Sequence, residues 1–134
     1  MLSIEGKVDD RVVKLSFDSG ATASIMSRKA VKKFNFKRFD SEVQIKTADN
    51  NISNVIGITE SLTVNIKDIV ITKLKFLIID HEDHDVLLGL DWFNKTGVGI
   101  YPKQNYLMVP SIDKKIQLDR SPRSVYVYGS YTNY

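Results

Sequence analysis

Apolar and polar residues alternate along most of this chain. In RVVKLSF, residues 11–17, Val13, Leu15 and Phe17 fall on one face and Lys14 and Ser16 on the other, the period-two pattern of a half-buried strand. The preceding LSIEGKV and the Asp9-Asp10 pair complete a hairpin that delivers Asp18 at its end. The period then changes. Met26, Ala30, Val31 and Phe34 recur at helical spacing and Ser27 can cap them, so a short helix is expected over 28–34. Strands resume in EVQIKTA, VIGITESLTVNI and IVITKLKFLIID, separated by the turn-like DNNISN and KD. DVLLGLDWF reads as a buried strand, then Gly89, with Asp91 placed to cap one helical turn. VGIYPKQNYLMVP predicts a hairpin around Pro102–Asn105. From residue 120 the composition shifts to Ser, Pro, Arg and Tyr. The reading is therefore a mainly β domain over residues 1–119 and a tail or linker over 120–134, with VYVY as a further candidate strand.

Composition narrows the class. A chain of 134 residues that is 43% hydrophobic and 26% charged suits one compact domain with its own core and is too short for two. Cysteine is absent, which excludes disulfides and thiolate metal sites and fits a reducing, cytoplasmic setting. MLSIEGKVDD lacks the basic and apolar regions of a signal peptide, and Lys73 and Lys75 break the most apolar stretch, so neither a leader nor a membrane span is expected. A net charge of +3 is mild, and nucleic acid is not an expected partner of the isolated domain.

The chemistry centres on KLSFDSGATAS, residues 14–24. Asp, Ser and Gly all favour turns, and such tripeptides recur by chance. A carboxylate held in a turn between Phe17 and Ala21 is also in a partly desolvated setting, where a carboxyl can share a proton. The second motif decides between these accounts. An apolar residue followed by Asp-Ser-Gly-Ala, and then Leu87-Leu88-Gly89 with Gly89 71 residues beyond Asp18, resembles the retropepsin-like aspartic proteases of retroviruses and LTR retrotransposons. The resemblance spans roughly residues 3–110 and is strongest to the gypsy-type retrotransposon proteases and the DNA-damage-inducible retropepsin-like domains, whose second motif also runs into Gly-x-Asp.

That resemblance implies a retropepsin-like fold, one subunit of a symmetric homodimer, and an aspartic endopeptidase acting on its own polyprotein, in the cytoplasm or within virus-like particles, without cofactor or metal. It places the catalytic carboxyl at Asp18. Ser19 becomes the hydroxyl residue that bonds across the dimer, and Gly20 the point of close backbone approach to substrate. Ala21 keeps the site tight, and Leu88 and Gly89 support the catalytic loop. Ile25 and Leu87 become pocket residues. Residues 43–57 become the flap, with Ala48, Asp49 and Asn50 at its tip against substrate. Two positions depart from the retroviral pattern: Thr22 and Leu90 stand where an Asp and an Arg usually tie the dimer together. The flap tip is also poor in glycine.

Reaction chemistry gives a separate route to the dimer. Hydrolysis by water needs a general base and a general acid at once, and one carboxyl cannot be both. The chain has a single Asp-Ser-Gly and no internal duplication, so the second carboxyl must come from a second copy. The remaining motifs read more simply. DHEDHD, residues 80–85, is a solvated loop before it is a metal site, and RKAVKKFNFKR, residues 28–38, is the wet face of the helix before it is a polyanion contact. Ser19 lacks a nearby base for a serine-hydrolase role, and Trp92 and Phe93 read as core anchors. The alternative from another class is a catalytically silent dimerisation or peptide-binding module.

Overall fold

The computed structural model describes residues 1–46, 52–80 and 84–120. Strands β1 (Leu2–Val8) and β2 (Arg11–Phe17) form the expected hairpin. Its loop places Asp9 and Asp10 at φ 46° and 64°, the left-handed region that a two-residue hairpin turn of this kind requires and that Asp tolerates better than most residues. Along β2, Val13, Leu15 and Phe17 are buried, as the alternation predicts.

Next come β3 (Ile25–Ser27) and α1 (Arg28–Phe34). The Ser27 hydroxyl accepts from the Ala30 N–H at 3.0 Å and so caps the helix, while Asn35 ends it at φ 57°. Met26 is a correction: it lies in β3, fully buried, and its apparent helical spacing is accidental. The expected strand runs divide into β4 (Arg38–Lys46), β5 (Ile52–Thr59), β6 (Leu62–Ile66), β7 (Val70–Leu74) and β8 (Leu77–Ile79). Glu60-Ser61 and Lys75-Phe76 break runs that the sequence showed as continuous. β9 (Val86–Leu88) and α2 (Leu90–Thr96) follow, then β10 (Gly99–Tyr101), β11 (Tyr106–Val109), β12 (Lys114–Gln117) and β13 (Asp119–Arg120).

One large sheet runs β4-β5-β8-β3-β9-β2-β1-β6-β7, with β13 also paired to β1, and β10-β11-β12 form a smaller sheet. β13 pairs Arg120 with Leu2, and the Arg120 guanidinium donates to the Asn105 side chain and the Pro102 carbonyl, which ties this residue into the fold. Residues 121–134, including VYVY, lie outside the described residues. Among those described, no helix is long and apolar enough to cross a membrane.

The core lies under the centre of the large sheet. Leu15, Met26, Phe76, Ile78, Leu88 and Trp92 are among its largest fully buried members. Phe17, the residue before Asp18, packs against Trp92 and Phe93 with ring centroids 5.5 and 6.2 Å apart. The aromatic pair read as core anchors therefore fixes the strand end that carries the carboxylate.

Candidate active site

β9 slots between two strands that are far from it in sequence. It runs parallel to β2, with Phe17 opposite Leu88, and antiparallel to β3, with Ile25 opposite Leu87. The chain leaving β2 must loop outward to reach β3, and that loop is Asp18–Ser24. Its start is held by the Asp18 N–H donating to the Leu88 carbonyl at 3.0 Å, and the Ala21 N–H donating to the Asp18 carbonyl at 3.1 Å. The Leu90 N–H donates to the Ala21 carbonyl at 2.7 Å, so the first residue of α2 grips the middle of the loop.

Asp18 is partly buried, and one of its carboxylate oxygens accepts the Gly20 N–H at 2.9 Å. That bond orients the carboxylate on its own loop and leaves its other oxygen for a reacting partner. Ser19 is exposed, and its hydroxyl makes no hydrogen bond among the described residues. A Cβ at Gly20 would sit 3.1 Å from the Asp18 carboxylate oxygen, so a larger residue there would press on that side chain. Gly89 is tighter still: a Cβ would meet the Ala21 and Ala23 carbonyl oxygens at 2.7 and 2.8 Å. Leu88 is fully buried beneath the loop. Ile25 and Leu87 come together with Ile79 in a small separate cluster against Ala21. Ala48, Asp49 and Asn50 lie outside the described residues; β4 and β5 form the hairpin arms that lead to them.

Asp91 has a different part from the one its sequence position suggests. Gly89 holds the N-cap position of α2, without a side-chain cap bond, and Asp91 sits in the first turn. Its carboxylate accepts both the Ser24 N–H, at 3.0 Å, and the Ser24 hydroxyl, at 2.6 Å. The same Ser24 oxygen accepts the Gly89 N–H at 3.0 Å, and Ser24 is fully buried. A charge-assisted clasp thus joins the far end of the Asp18–Ser24 loop to the glycine turn and the helix. Sequence reading missed Ser24 because its partner is 67 residues away and nothing local pairs the two motifs. Ser24→Ala should destabilise the fold by about 2–3 kcal/mol in urea unfolding, since it strands a buried N–H and a charged acceptor. A double-mutant cycle with Asp91→Ala should be strongly non-additive. Additive losses would mean that the two groups act separately.

Of the acidic cluster at 80–85, residues 81–83 lie outside the described residues, and Asp80 pairs with Arg28 at 3.1 Å. Thr22 is exposed, and Leu90 opens α2.

With the geometry in place, comparison with known proteins assigns the chain. The family described as gag-polyprotein putative aspartyl protease matches residues 4–95, and the chain belongs to it. No curated protein matches the sequence. Among solved structures, the retroviral protease-like domain of Ddi1 from Leishmania major is similar with a TM-score of 0.66 and 20% identity, over 90% of this chain and 94% of that one. The EIAV protease complexed with the inhibitor HBY-793 is similar with a TM-score of 0.58 and 18% identity, over 74% of this chain and 90% of that one. The fold is that of the retroviral proteases. The family match ends within α2, so β10 to β13 lie beyond it.

Proposed function

We propose that the protein is an aspartic endopeptidase that works as a symmetric homodimer, with the Asp18 carboxyls of two copies facing each other across the cleft. The observation that carries this reading is the setting of Asp18: a partly buried carboxylate fixed to its own loop through the Gly20 N–H, on a strand end locked by Leu88 and Phe17. It is the one Asp-Ser-Gly of the chain, half of what acid-base hydrolysis needs. Two such carboxyls in contact share one proton, as aspartic protease pairs do in general. The ionised member takes a proton from water as its oxygen attacks the peptide carbonyl carbon. The protonated member then gives its proton to the amide nitrogen as the C–N bond breaks.

Ser19, exposed and without a hydrogen-bond partner among the described residues, supplies the hydroxyl that joins the two loops across the axis. The β4-β5 hairpin serves as the flap over an extended peptide. Ile25 and Leu87 line the side-chain pockets, and membership of a gag-polyprotein family favours the element's own polyprotein as substrate.

The test is the initial rate on one unfolded polypeptide, read against enzyme concentration and against pH. Near the dimer dissociation constant, activity should rise more steeply than linearly. At fixed dimer it should be bell-shaped in pH, because the pair must hold one proton and loses function with two or none. A rate strictly proportional to a demonstrated monomer contradicts the dimer, and a rate that keeps rising into alkaline pH contradicts the carboxyl pair. No cleavage under any of these conditions leaves the silent module.

A further inference from the structure

Between Arg28 and Arg38 the chain carries six cationic side chains and no acid. The rest holds the other 13 of the 19 Lys and Arg residues against all 16 Asp and Glu, a net charge of −3. This one segment therefore supplies the entire positive excess of the protein.

The structure puts most of that charge in open solvent. Arg28 is engaged by Asp80 at 3.1 Å, and Arg38 lies 3.9 Å from the exposed Asp40. Lys29, Lys32, Lys33 and Lys37 are exposed, and none of them forms an ion pair among the described residues. The nearby Glu60 carboxylate accepts the Lys37 backbone N–H instead of its ammonium. Lys29, Lys32 and Lys33 stand at i, i+3 and i+4 on α1, where like charges repel. Arg28 and Lys29 also occupy the first turn, which holds no acid, although the helix dipole favours a carboxylate there. Helix stability alone would place acids at these positions.

The segment ends on an aromatic. Phe34 and Phe36 pack on the core, whereas Phe39 at the start of β4 is 52% exposed, with the Lys37 ammonium 5.3 Å from its ring centroid. The neighbouring cavity of about 480 Å³, which Lys33 borders, carries no positive excess of its own, because Lys14 and Arg120 line it together with Glu5, Asp85 and Asp119.

We propose that this face of α1 and the start of β4 form a docking surface for single-stranded nucleic acid. Phosphates lie on Lys29, Lys32, Lys33 and Lys37, and a base stacks on Phe39. Lysine charges beside an exposed ring fit a chain that has both phosphates and π-faces, and an acidic peptide or an anionic membrane has no base to offer the ring.

The experiment is anisotropy binding of labelled oligouridylate to the full chain as a function of salt. Four phosphate contacts on a single strand give a slope of log K against log salt of about −3, so affinity should fall about 50-fold between 50 and 200 mM. The triple change Lys29→Gln, Lys32→Gln and Lys33→Gln should reduce the slope to about −0.7, without lowering the unfolding temperature. Phe39→Ser should weaken binding about tenfold and leave the slope unchanged. The proposal is overturned by a slope that the triple change does not alter, or by equal affinity for polyglutamate or for phosphatidylserine vesicles.

Discussion

Replacing Asp18 by Asn should lower peptide cleavage by at least about 10³-fold while leaving the fold intact. The amide keeps an oxygen that can accept the Gly20 N–H, so the loop geometry seen around Asp18 survives. What it loses is the exchangeable proton. In the dimer the loss is double, because each substitution removes an acid in one half-cycle and a base in the other. The pH profile should therefore vanish and not merely move. Circular dichroism and the urea midpoint should match those of the unaltered chain, since no core contact of Phe17 or Leu88 is touched. A variant that keeps a tenth of its activity would assign the chemistry to another group.

Gly89→Ala should be the most damaging single-methyl change near the site. The backbone of Gly89, at φ −106°, suits any residue, so conformational strain is not the cause. The cause is space. The new methyl would press on two carbonyl oxygens at 2.7 and 2.8 Å, and both belong to backbone that cannot swing aside. Relief requires pushing the loop away from α2, which breaks the Leu90 to Ala21 hydrogen bond of 2.7 Å. Overpacking and the lost bond together cost about 3 kcal/mol, or about 10 °C in unfolding temperature for a domain of this size. Activity should fall further than stability, because the displaced segment carries Asp18. Gly97→Ala is the matched comparison: that glycine, at φ 73°, has open space around it, and its substitution should cost only about 1 kcal/mol with activity retained. Equal effects at the two glycines would remove the steric argument for Gly89.

Local chemistry made much of this fold legible. Asp9-Asp10 announced the hairpin because few residues accept positive φ, and Ser27 announced α1 because its hydroxyl takes a helix N–H three residues on. The candidate site was legible from Asp18-Ser19-Gly20 and Leu88-Gly89, two motifs that the fold brings into contact through β2 and β9. What sequence could not show was order in space. Nothing local says that β9 lies between β2 and β3, and Asp91 looked like a helix cap because its real partner, Ser24, is remote. β12 escaped notice because Lys114–Gln117 offers one buried apolar residue, Ile116, against three exposed polar ones. The break at Glu60-Ser61 was hidden by the apolar residues on either side of it.

The central claim is that one active site takes an Asp18 from each of two chains, and mixing subunits tests it most directly. Unaltered and Asp18→Asn chains are combined in equal amounts, well above the dimer dissociation constant, and allowed to exchange. Random pairing makes about one quarter of the dimers fully unaltered, so the rate should fall to about one quarter of that of the same total concentration of unaltered protein. A rate of one half would mean that each chain works alone and would contradict the shared site.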